Sequence, residues 1–165
     1  MLKSRTELID MNNIQNIYNM LSWESPDKIK AKGFRLAREI KDLSLLIFPP
    51  APSYVWECCA QILSEKSDAD LAPYLDKLLE WLQDLNWPGA LLILERLKNF
   101  SGEKLKKPFL ELVNNAIKMN NEEGLMWLDY LSELLDNKEL RAILPEETLQ
   151  VLEKHYHNWA WWYEE

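Results

Sequence analysis

The sequence predicts an all-α chain built as a stacked solenoid of antiparallel helix pairs. Three observations carry that reading. Apolar residues recur at helical spacing in nearly every segment, and no alternating apolar–polar stretch runs past four residues. Glycine is scarce, at 4, which speaks against an all-β protein rich in tight turns. The chain also matches itself when slid by 35 residues: Pro73 falls on Pro108, Leu75 on Leu110, Asn86 on Asn121 and Gly89 on Gly124. Similar pairs, among them Tyr74/Phe109, Leu78/Val113, Leu91/Met126 and Ile93/Leu128, fill the gaps. Matched prolines and glycines weigh most, because each constrains the backbone. A helix–turn–helix unit of this period is the signature of a solenoid, in which neighbours cover apolar faces that one pair cannot bury alone.

The elements follow in order. Ile14, Ile17, Tyr18 and Leu21 place a first helix over about 10–22. Ser25-Pro26-Asp27 reads as N-cap, N1 and N2 of a second, whose inward stripe is Ile29, Gly33, Leu36 and Ile40. The prolines of Leu43–Ser53 predict an extended linker. A third helix turns Val55, Trp56, Cys59, Ile62 and Leu63 inward. The Ser67–Asp70 run caps a fourth, with Leu71, Leu75, Leu78, Leu82 and Leu85 on one face. Asn86-Trp87-Pro88 opens a fifth, to about 99, with Asn86 as its cap. Ser101 opens a sixth, to about 118, and Asn120–Glu123 a seventh, to about 136. A short turn over 138–143 and a last helix over about 145–156 complete the chain.

Length and charge exclude several classes of function. A chain of 165 residues fits one domain and can bury a full core without a metal or a disulfide. The net charge of −8 makes nucleic acid an improbable partner. The N-terminus lacks the apolar run of a signal peptide, and no apolar run approaches a membrane span, so a cytoplasmic protein without membrane contact is expected. Adjacent Cys58 and Cys59 make neither a disulfide framework nor a zinc site, and read as inert buried thiols.

The stretch Ser64–Phe100 contains Leu-x-x-Leu-Leu-x-Trp-Leu-Gln-Asp-Leu-Asn-Trp-Pro, running from Leu75 to Pro88. It resembles the core of the DUF5071 family, small bacterial proteins of unknown function. The upstream Ser22–Pro50 and Val55–Leu63 segments look similar to the same group, so the resemblance covers about 13–135. It implies a HEAT-like α-α superhelix and a bacterial protein. It supplies no catalytic residue, cofactor or partner. Gly89 stands where other members often carry Val, and the Trp-rich tail is not a feature associated with the family. The expected plan is one domain, 1–165: a helix pair over 10–41, the Pro-rich linker over 43–53, HEAT-like repeats over 54–136, and a C-terminal cap over 137–165 that includes the tail.

Three groups of residues are candidate interaction sites. Asp84, Asn86 and Trp87 sit in the sharpest local motif, which helix punctuation also explains. Lys28, Lys32 and Arg35 share one face of a helix segment that carries a net +4, which reads as a solvated face or an acidic-partner patch. Trp159, Trp161 and Trp162 belong to a tail too apolar to stay in water, expected to dock around Trp127, Tyr130 and Leu134 or on a second chain. Acidic rows, Asp76/Glu80/Asp84 and Glu122/Asp129/Glu133/Asp136, read as solvated surface. His155-Tyr156-His157 is too isolated for a metal site, and no nucleophile–base constellation or phosphate loop is present. The expectation is a non-catalytic protein-interaction module without cofactor or metal, monomeric or weakly dimeric, with an unidentified protein partner. One alternative is an immunity-type protein masking a basic toxin or nuclease. Another is a HEAT-like DNA-acting enzyme, which the net charge disfavours.

Overall fold

A computed structural model describes residues 5–47 and 50–158. Every regular element among the described residues is helical. The chain divides into two compact units, Met1–Lys66 and Ser67–Glu165.

The first unit holds α1 (Arg5–Leu21), α2 (Asp27–Arg38) and α3 (Trp56–Ser64), with 3-10 turns at Leu43–Leu46 and Ser53–Val55. Helices α1 and α2 pack together, and they approach closely at Gly33. A Cβ there would lie 2.8 Å from the Cβ of Met20 and 3.2 Å from Leu21 Cδ2, so only glycine admits this approach. The buried face of α2 is Gly33 and Ala37, continued by Ile40. Ile29 and Leu36, expected inward, lie in solvent at 44% and 41% exposure. The close approach at Gly33 rotates the contact toward the small residues and leaves the large ones at its margin. Ser25 does not cap α2 either: Pro26 holds that place without a side-chain bond, and Ser25 Oγ donates to the Asn19 carbonyl at 2.7 Å.

The segment read as an extended linker belongs instead to the core. Prolines constrain the residue before them and themselves, not the chain three to six residues upstream. Leu43–Leu46 is therefore free to coil, with Asp42 accepting from the Ser44 amide. Leu43, Leu46 and Ile47 are buried. Two bonds hold the segment in place. Tyr18 donates its hydroxyl to the Leu45 carbonyl at 2.6 Å, and Trp56 Nε1 donates to the Ala51 carbonyl at 2.8 Å. Val55, Cys59, Ile62 and Leu63 turn inward as their spacing predicts.

The second unit contains α4 (Asp68–Leu71), α5 (Leu75–Glu80), α6 (Ala90–Lys98), α7 (Gly102–Met119), α8 (Glu122–Leu131), α9 (Lys138–Ile143) and α10 (Glu146–His155). The helix expected to be continuous over 67–85 is broken by 3-10 turns at Ala72–Tyr74, around Pro73, and at Trp81–Gln83. Its apolar face survives, with Leu71, Leu75, Leu78, Leu82 and Leu85 all buried. Helix α7 continues through Pro108, and Leu105, Phe109, Leu112, Val113 and Ala116 are buried on its inner face. Helix α5 touches α7, and α7 touches both α8 and α9. Helix α10 lies on α8 and on the 3-10 turn Ser132–Asp136 that extends it.

Three side chains cap helix starts as the sequence implies: Ser67 for α4, Ser101 for α7 and Asn121 for α8. Asn137 caps α9 and does more. Its Oδ1 accepts from the Leu140 amide, and its Nδ2 donates to the carbonyls of Leu97 and Phe100, both at 2.9 Å. Carboxylates from other elements hold the start of α7. Asp68 accepts the Ser101 amide and Glu139 accepts the Gly102 amide. Gly102 has no room for a side chain, since a Cβ would meet the Leu140 nitrogen at 2.4 Å.

The glycines matched by the 35-residue slide do not occupy equivalent places. Gly89 is the N-cap of α6 with φ 83°, a left-handed conformation that glycine adopts without strain. Gly124 lies inside α8, where a Cβ would strike the Ala116 carbonyl oxygen at 2.5 Å. One is needed for its backbone angle and the other for its lack of bulk.

Candidate functional site

Lys28, Lys32 and Arg35 stand together on the outer side of α2, all exposed. Because the helix turns its small residues inward, Ile29 and Leu36 border that row of cations. Trp23, at 59% exposure, precedes the helix, and Lys30 donates to its carbonyl at 3.2 Å. Beside Trp23 a shallow recess of about 570 Å³ is lined by Asn19, Ser22, Ser25, Pro26 and Tyr54. On the side toward α3, Arg38 forms a two-armed pair with Glu65 at 2.9 and 3.0 Å. That hydrogen bond raises the Arg38 guanidinium and lowers the Glu65 carboxyl from their ordinary ranges. The outer face of α2 is thus mixed, cationic and apolar, rather than a purely solvated row.

Asp84, Asn86 and Trp87 come together in one tight turn between the 3-10 segment Trp81–Gln83 and α6. Asp84 Oδ1 accepts the Asn86 amide at 2.8 Å, and the Asp84 carbonyl accepts the Trp87 amide at 3.0 Å. Fully buried Trp81 donates Nε1 to the Pro88 carbonyl at 3.1 Å, tying the two ends of the motif. Asn86 is not the cap of α6; Gly89 is, because the turn needs a left-handed residue to redirect the chain. Helix punctuation accounts for Asp84 and for the Trp–Pro pair, and Trp87 is only half-exposed.

The sequence did not reveal a clasp at the C-terminus. Asp129, Glu133 and Asp136, read as solvated surface, are covered by the last residue of α10 and the three that follow it. His155 Nδ1 lies 2.6 Å from Asp129 Oδ1, and Asn158 Nδ2 donates to the same oxygen at 3.1 Å. His157 donates its amide to Glu133 at 3.0 Å, with its ring Nδ1 at 3.0 Å from the same carboxylate. Tyr156 donates its hydroxyl to Asp136, and Lys98 pairs with that carboxylate at 3.2 Å. The Glu133 side chain is only 4% exposed and that of Asp129 13%. Burial pushes the Asp136 carboxyl up, but the Tyr156 hydroxyl and the Lys98 ammonium outweigh it, so it titrates below its ordinary value. The same bond to Asp136 pushes Tyr156 up to about 12. A His-x-His pair facing an Asp-x3-Glu-x2-Asp row was the available signal, but its partners lie more than 20 residues apart.

Cys59 is fully buried, and desolvation pushes its thiol up to about 12. Burial raises half-buried Cys58 as well. Neither thiol is poised as a nucleophile. Among the described residues no group of three or more His, Cys, Asp or Glu side chains is placed to hold a metal ion, and no helix is long and apolar enough to cross a membrane. A polar cleft of about 550 Å³ at the starts of α7 and α9 is lined by Asp68, Lys98, Ser101, Asp136, Asn137 and Glu139, whose side chains are engaged with one another or with backbone. Trp159, Trp161 and Trp162 lie outside the described residues.

Comparison with curated proteins and with solved structures finds no match. A family model, the domain of unknown function DUF5071, matches residues 57–159. The match takes in the turn motif, every element of the second unit and the C-terminal clasp. It leaves α1 and α2 outside, so the part of the resemblance expected over Ser22–Pro50 lies beyond the matched range. Since the model accounts for well over half of the sequence, this chain belongs to the DUF5071 family.

Proposed function

We propose that this protein is a non-catalytic protein-interaction module that engages its partner through the outer face of α2. One observation carries the reading: Ile29, Leu36 and Trp23 lie in solvent beside Lys28, Lys32 and Arg35. Large apolar side chains left exposed next to a row of one charge mark a docking surface. The partner this face fits is a segment with apolar anchors and carboxylates. The test is affinity capture from the native host with the intact protein and with the triple variant Lys28→Glu, Lys32→Glu, Arg35→Glu. A protein recovered in stoichiometric amount by the first and lost by the second supports the reading. Recovery of the same proteins by both defeats it.

The finer architecture proposed for residues 67–158 is a HEAT-like α-α superhelix. Its support is the order of neighbours, with α5, α7 and α9 in one row and α8 and α10 in contact beyond them, and the recurrence of caps at Ser67, Ser101 and Asn137. The mismatched contexts of Gly89 and Gly124 mean that such repeats are approximate in sequence register.

The immunity-type reading is favoured by a separate observation. Residues 1–66 carry nine Lys and Arg against eight Asp and Glu, whereas residues 67–165 carry ten against nineteen. A basic partner would meet the second unit, and its association would slow steeply with added salt.

A further inference from the structure

Two exposed faces on different helices carry opposite charge beside apolar side chains. On α8, Glu122, Leu125, Met126 and Asp129 follow one another at i, i+3, i+4 and i+7, which sets them on one face. Leu125 is 54% exposed and Met126 50%, and the adjoining end of α7 adds Ile117 at 43% and Met119 at 39%. Asp129 is engaged by the clasp, so the exposed carboxylates beside this apolar group are Glu122 and its neighbour Glu123. From Ile117 to Asp129 the chain has three carboxylates and one cation, Lys118. On α2 the pattern is the same with the sign reversed. Ile29 and Leu36 are exposed, exposed Trp23 precedes them, and Lys28, Lys32 and Arg35 border them. Helix α2 carries five Lys and Arg against Asp27, and one of the five, Arg38, is paired with Glu65.

We propose that the partner of the α2 face is a second copy of this chain, which receives it on the outer face of α8. This deepens the reading of α2 as a docking surface and rests on it. The α8 face has the chemistry that reading calls for, since Leu125 and Met126 are apolar anchors beside the carboxylates of Glu122 and Glu123. Charge makes the contact selective. Two α2 faces would set cations against cations, and two α8 faces would set carboxylates against carboxylates, so unlike faces meet and like faces do not. Such a contact is heterologous. A pair of chains leaves one α8 face and one α2 face unused, and these either close on each other or take up further copies. The faces are a few side chains each, so the association is weak and depends on concentration.

The test is sedimentation of the full chain over a range of concentrations, alongside two variants. One carries Lys28→Glu, Lys32→Glu and Arg35→Glu on α2, and the other Leu125→Ser and Met126→Ser on α8. All five side chains are exposed, so both variants should keep the melting curve of the wild type. The expected result is a wild-type mass that rises with concentration above that of one chain, and rises less as salt goes from about 0.1 M to about 1 M. Each variant alone should stay a single chain. Mixed in equal amounts, the two should form a pair and stop there, because one intact α2 face and one intact α8 face remain. That restoration also shows that both variants are folded. A wild type that stays a single chain at every concentration overturns the proposal. So does a variant that associates as well alone as the wild type, or a mixture that forms no pair, since like faces or other surfaces then make the contact. The reading of α2 as a docking surface fails separately. A wild type that stays single while α2 still captures a different host protein, lost with the triple variant, removes the second copy and leaves that reading standing.

Discussion

Asn137 shows how much one buried side chain can hold together. At 2% exposure it satisfies three backbone groups on two elements, the Leu140 amide and the carbonyls of Leu97 and Phe100. Asn137→Asp keeps the acceptor for Leu140 but removes both donors and sets a carboxylate against two carbonyls. The expected loss is about 3 kcal/mol or more, the range for breaking a buried hydrogen-bonded group and leaving an unpaired charge, read from urea unfolding at neutral pH. Asn137→Ser, which keeps a cap, should lose less. Tyr18 makes a second prediction. Desolvation, with smaller contributions from Cys59 and Tyr54, pushes its hydroxyl up to about 12, whereas an unfolded tyrosine titrates near 10. The neutral form is favoured in the fold, so the contribution of Tyr18 is complete below about pH 10 and is lost as the pH rises toward 12. Tyr18→Phe leaves the Leu45 carbonyl unpaired, which costs about 1 kcal/mol at pH 7. The gap in stability between wild type and variant should narrow from pH 10 upward. A gap that stays constant through that range would contradict the assignment.

At the level of elements, the clasp joins α10 to α8 through charge-assisted bonds. Asp129→Asn weakens the bond to His155 Nδ1 and disturbs that to Asn158. The expected cost is about 1–2 kcal/mol, seen as a lower denaturation midpoint with an unchanged slope. Helix positions were legible in the sequence because their cues are local. Ser67, Ser101 and Asn121 announce helix starts, and the leucine spacing of 71–85 gives the buried face even where the helix itself is broken. What was not legible depended on contacts distant in sequence. Nothing within α2 says that Gly33 will meet Met20, and that contact decides whether Ile29 and Leu36 face in or out. The acidic row read as solvated surface for the same reason, since its histidine and asparagine partners lie on an element two helices away. Gly89 and Gly124 matched as letters, yet they meet different physical demands.

For the molecule as a whole, the division after Lys66 separates two cores of unequal size. Residues 67–165 enclose Trp81, Phe100 and Phe109 together with a long series of leucines, enough for independent folding. Expressed alone, this part should melt as one cooperative transition, whereas residues 1–66, near the lower size limit of a self-sufficient core, should show a broad or absent one. A non-cooperative trace from 67–165 would place the cooperative unit elsewhere. The way α7 begins has a further consequence, for amide hydrogen exchange. The first amides of a helix ordinarily exchange fastest, because no preceding turn accepts their protons. Those of Ser101 and Gly102 are instead bonded to Asp68 and Glu139, which belong to α4 and α9. Their protons can leave only when those helices part from α7. Two amides at the edge of a helix should therefore be among the slower ones of the second unit, and they record how often its layers separate.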